Sequence, residues 1–136
     1  MELLERLLGK DYINKLRILF ILFLSVILLI SIYIYRPFIY SSNINDYSLA
    51  NSFPSLIYMI IIVQISFLHS SINKIEFDKK LQIYAISLGL IIVELIQLFF
   101  THIGTFDLID IIYIIRGVPV TIFIEKIFTK YDNINR

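Results

Sequence analysis

The stretch Glu94-Leu-Ile-Gln97-Leu-Phe-Phe-Thr101-His102-Ile-Gly104-Thr-Phe-Asp107-Leu-Ile-Asp110-Ile-Ile-Tyr113-Ile114-Ile-Arg116-Gly117 decides the fold. Two apolar runs meet in it across a connection, His102 to Phe106, too short for anything but a hairpin between antiparallel neighbours. The same stretch sets carboxylates and a guanidinium among residues otherwise fit for lipid. Ionisable groups are expensive there, so they usually face a bundle interior, pair with one another and mark function.

Outward from this hairpin the chain keeps the same character. Of its 136 residues 58% are hydrophobic, and the mean hydropathy is +0.82, too apolar for a domain with a largely polar surface. The expected class is an all-α integral membrane protein surrounded by the lipid bilayer. Lys and Arg number 12 against 11 Asp and Glu, so there is no basic field to attract nucleic acid. The chain has no Cys, which removes disulfides, thiolate chemistry and Cys-ligated metals together.

Four apolar runs are predicted as helices, at about 18–35, 54–73, 81–101 and 107–128, within one domain covering 1–136. The first carries no charge and reaches the roughly 17-residue lower limit for a span. No small-x-small cleavage site follows it, so it is expected to stay uncleaved. Ahead of it, residues 1–17 set Leu3, Leu4, Leu7 and Leu8 on one face and Glu2, Glu5 and Arg6 on the other. That pattern fits either an amphipathic surface helix or an extension of the first span. Tyr33, Tyr35, Phe38 and Tyr40 form an aromatic band suited to the headgroup level. Ser41 to Pro54 is the one sizeable polar loop, with Pro54 expected in the first turn of the second helix. In the fourth run Pro119 removes the donor to the Ile115 carbonyl, so a kink or break is expected within 115–119.

Orientation follows from the cations. Ten Lys and Arg lie in the N-terminal segment, the 73–80 turn and the C-terminal tail, against Arg36 alone in the other two connections. This asymmetry puts both termini in the cytoplasm of a multi-pass cell-membrane protein and opens the polar site outward.

Glu94, Gln97 and Thr101 share one helix face, and Asp107, Asp110, Tyr113, Ile114 and Gly117 form the facing stripe. Counted from the hairpin, Glu94 and Arg116 lie at similar depth, roughly 10 and 12 Å. An ion pair between them is therefore expected, with Asp107 and Asp110 left near the outer mouth. The plainer reading is that the pair only locks two helices and that the aspartates cap the fourth helix. Asp107, Asp110, Glu94 and His102 are oxygen and nitrogen donors by type, but acids three apart are common and no metal site is assigned. No His pair at metal spacing, Gly-rich phosphate loop or Ser-His-Asp arrangement is present, and no cofactor is assigned.

At these residues the chain resembles the VanZ-like family of small bacterial membrane proteins. Glu94, Gln97, Asp107, Asp110 and Gly117 match the family pattern in type and order, and Asn51-Ser-Phe-Pro54-Ser loosely resembles its entry to the second helix. Gly104 stands where the family has arginine and Ile114 where it has asparagine, with Arg116 as a substitute cation. The resemblance implies a cell-envelope role, because founding members are associated with resistance to the glycopeptide antibiotic teicoplanin. The expected architecture is a membrane four-helix bundle whose ligand-binding residues are Glu94, Gln97, Asp107, Asp110 and Arg116. The expected ligand is a lipid-linked or glycopeptide-type head group. The alternative is an accessory subunit whose intramembrane charges meet a partner membrane protein. No catalytic residue is assigned, although paired acids have the chemistry for general acid and base on a lipid-linked substrate.

Overall fold

The computed structural model describes residues 12–100 and 106–134, and among them the fold is all helical. The first rod is α1, Tyr12–Ile30, which runs through a π-helical turn, Ser31–Tyr35, into the short α2, Arg36–Ser42. Pro37 accounts for the π turn. Its ring would collide with the carbonyl four residues back and it offers no N–H. The wider turn just before it is closed by Arg36 N–H donating to the Ser31 carbonyl. The rod ends where Asn43 takes the left-handed conformation at φ 52° and its N–H bonds back to Ile39 and Tyr40, a common helix stop for asparagine.

Helix α3, Leu49–Ile72, begins five residues earlier than the sequence reading places it. Asp46 explains the shift, because its carboxylate accepts the Ala50 N–H at 2.6 Å and so satisfies a donor of the first turn. Pro54 therefore lies inside the helix and not in its first turn, a correction to the expected position. Helix α4, Lys79–Phe99, is capped by Asp78, whose carboxylate accepts from the backbone of Lys80 and Leu81. Helix α5, Leu108–Ile134, is continuous through Pro119, so the expected non-helical break does not occur. Of segment 1–17, residues 12–17 belong to the first rod; the proposed amphipathic face and the Gly9 bend lie outside the described residues.

Among the described residues, three helical stretches are long and apolar enough to cross a membrane: Ile13–Ser42, Leu49–Ile72 and Lys79–Phe99. The fourth expected span, α5, has the length but also carries Asp110, Arg116, Glu125, Lys126 and Lys130.

Helix α3 is the centre of the fold. One side of it contributes Ile57, Ile60 and Ile61 to a cluster with Leu24 of α1. The other contributes Met59, Val63 and Phe67 to a cluster with Ile83 of α4 and Ile114 of α5. Lipid is as apolar as these side chains, so close packing and polar contacts, more than hydrophobic transfer, hold such helices together. Gly117 shows what that packing requires: a Cβ there would stand 2.5 Å from the sulfur of Met59. Ser52 and Thr121, both fully buried, continue the small-residue contact between α3 and α5.

Candidate functional site

Polar groups converge at two ends of the helices. At the hairpin end, Glu94 near the end of α4 faces Asp107 and Asp110 at the start of α5, close enough for their charges to interact. Asp107 precedes α5 and its side chain accepts the Ile109 N–H at 2.9 Å, so it does act as a cap. Asp110, one turn in, has the hydroxyls of Ser52 and Ser55 from α3 beside it. Gln97, partly buried, lies on the α4 face one turn beyond Glu94. Two carboxylate oxygens, Glu94 Oε2 and Asp110 Oδ1, are buried and accept no well-aligned hydrogen bond among the described residues, although for Asp110 the serine hydroxyls stand within reach. Thr101, His102 and Gly104 lie outside the described residues.

The expected Glu94–Arg116 pair does not form: among the described residues neither is in an ion pair with the other. Arg116 is exposed, and its guanidinium sits 5.9 Å from the centre of the Tyr113 ring. The depth estimate is compatible with pairing, but the face is not. Ile114, Gly117 and Thr121 are the α5 residues buried against α3 and α4, which turns Arg116 outward. The cation whose field does reach Asp110 is Arg36, at the start of α2. Ile114, standing where the resembled family has asparagine, is core packing here.

The opposite end holds the most extensive polar junction, which the sequence reading does not find. Arg17 of α1 is only 4% exposed. Its guanidinium donates to both oxygens of Glu125 in α5, at 2.7 and 2.8 Å, and to Gln64 Oε1 of α3 at 2.6 Å. Phe67 and Phe128 lie against it, with ring centres 5.2 and 4.8 Å from Cζ. Lys79 at the start of α4 adds a second ion pair to Glu125 at 2.6 Å. Three helices thus meet at one carboxylate, with two cations on it, and α3 joins them through the Gln64 contact to Arg17. The guanidinium suits this position because Nη2 can hold the carboxylate and Nη1 the Gln64 oxygen while the planar group lies against aromatic faces. A cleft of about 430 Å³ opens beside the junction, lined in part by Asn14, Arg17, Ser70, Lys74 and Gln82. Gln82 also donates to Ser66 and Ser70, a further polar tie between α3 and α4. His69 lies in the last turn of α3, where the Asn73 amide contacts its ring.

The sequence signal for this junction was an acid inside an apolar run, Phe123-Ile124-Glu125, and a glutamine in the middle of another, Ile62-Val63-Gln64. Arg17 is masked by its position, since a cation ahead of a first span reads as a flanking charge. Comparisons with family models, with curated proteins and with solved structures find no match.

Proposed function

We propose that the chain is a VanZ-like, multi-pass protein of the cell membrane, acting in the cell envelope. In this reading it is a four-helix bundle, with α5 as the fourth span bent at Pro119 and both termini in the cytoplasm. The hairpin end is then an outward polar pocket for the head group of a lipid-linked or glycopeptide-type molecule. The observation carrying the reading is the convergence of Glu94, Asp107 and Asp110 beside Ser52 and Ser55, with the buried Glu94 Oε2 accepting no hydrogen bond among the described residues. Buried acceptors call for donors. A head group bearing ammonium, hydroxyl or amide N–H groups would supply them, and acids in this setting also have the chemistry for proton transfer.

The test is Asp110→Asn and Glu94→Gln in cells challenged with teicoplanin, with membrane insertion monitored in parallel. The expected outcome is loss of the protein's effect on susceptibility by either variant at unchanged insertion. Full effect from both inserted variants would reject the pocket. A second reading, an accessory subunit, has its own support in Arg116, an exposed cation on a helix between apolar neighbours. In that case Arg116→Gln abolishes recovery of a co-purifying membrane partner, whereas Asp110→Asn leaves it intact.

A further inference from the structure

Between the start of α4 and the second half of α5 runs a cleft of about 530 Å³. Its floor is apolar, with Ile83 and Ile122, and its rim carries Lys79, Lys80, Lys126 and Lys130. Lys79 is committed to Glu125. Lys80, Lys126 and Lys130 are exposed and form no ion pair among the described residues. Lys126 and Lys130 are four apart on one helix, a spacing that sets like charges side by side and is unfavourable unless an anion lies between them. The single carboxylate in the lining, Glu125, is already shared by Arg17 and Lys79.

We infer that this cleft binds an anionic phospholipid, its phosphate between Lys80, Lys126 and Lys130 and the start of its acyl chains on Ile83 and Ile122. Charge and shape agree on this occupant. Three free cations call for a phosphate, and the apolar floor between two helices suits a lipid better than a free anion. Basic pockets between helices at a membrane surface are known to hold acidic head groups. The inference is independent of the outward pocket, since it involves other residues at the other end of the helices.

The experiment uses the full chain in zwitterionic detergent, with the thermal midpoint followed on titration of short-chain phosphatidylglycerol, phosphatidylcholine or glycerol 3-phosphate. Phosphatidylglycerol is expected to raise the midpoint by binding the folded state, and less so at high salt. Phosphatidylcholine and glycerol 3-phosphate are expected to leave it unchanged. The double variant Lys126→Gln/Lys130→Gln is expected to weaken phosphatidylglycerol binding by roughly 10- to 30-fold. Lys15→Gln, exposed on α1 outside the cleft, is expected to bind like the parent. If the double variant does not fold, Lys80→Gln is read against the same expectation with a smaller loss. The inference is overturned if folded lysine variants bind phosphatidylglycerol as tightly as the parent, or if glycerol 3-phosphate stabilises equally, which would make this a simple anion site.

Discussion

Arg17 and Glu125 carry different burdens although they face each other. Both are buried, at 4% and 6% exposure, but Glu125 has a second cation in Lys79, whose side chain is half exposed. Removing the carboxylate by Glu125→Gln leaves Arg17 as a buried cation held only by amide oxygens and two ring faces, while Lys79 can turn to water. Removing the guanidinium by Arg17→Met leaves Glu125 with Lys79 still on it. Breaking a buried pair from one side costs about 3–5 kcal/mol, whereas replacing both partners with apolar groups is often close to neutral. The expected order of destabilisation is therefore Glu125→Gln, then Arg17→Met, then the double variant Arg17→Met/Glu125→Met, read as thermal midpoints in one detergent. Equal losses from the two single variants would show that Lys79 contributes nothing to the carboxylate. Arg17→Lys is expected to behave as a loss as well, since one ammonium nitrogen cannot stand in for the two separate nitrogens that reach Glu125 and Gln64, nor lay a planar group against Phe67 and Phe128.

At the scale of the helices, packing decides what charge counting left open. The elements themselves were legible: runs of Ile, Leu and Phe with no charge must satisfy their backbone internally in lipid, so helices follow. Their ends were less so, because Asp46 draws α3 back to Leu49 by a single carboxylate contact that spacing does not reveal. The grouping of Glu94 with Asp107 and Asp110 was legible because a short hairpin constrains both sides. The position of Arg116 was not, since it depends on which face of α5 meets Met59. Two glycines test that packing. Gly117→Ala puts a methyl 2.5 Å from the Met59 sulfur, and overfilling a tight contact of this kind costs about 1–3 kcal/mol. Gly89→Ala meets nothing within 4 Å and removes a poor helix former from the middle of α4, a gain of up to about 1 kcal/mol. The expected shifts in thermal midpoint thus have opposite signs, and a loss at both positions would mean that α4 is covered by another chain.

At the scale of the whole molecule, the polar groups are divided between the two ends of the rods. The start of α1, the end of α3, the start of α4 and the second half of α5 meet at Arg17, Gln64, Lys79 and Glu125. The other ends of α3, α4 and α5 meet at Ser52, Glu94 and Asp110. The first end also carries Lys15, Lys74, Lys80, Lys126 and Lys130, whereas the hairpin end has Arg36 as its flanking cation. Cytoplasmic loops retain lysine and arginine, so the orientation proposed above, with the Arg17 end inside and the three acids outside, rests on this division. The chain has no natural cysteine, which makes single introduced thiols clean reporters. Ser42→Cys, exposed at the end of α2, is expected to react with an impermeant maleimide applied to intact cells. Glu76→Cys, exposed in the turn before α4, is expected to react only after the membrane is opened. The reverse pattern would place Glu94, Asp107 and Asp110 on the cytoplasmic side, where an envelope head group on the outer leaflet could not reach them, and would reject the outward pocket while leaving the lysine cleft intact.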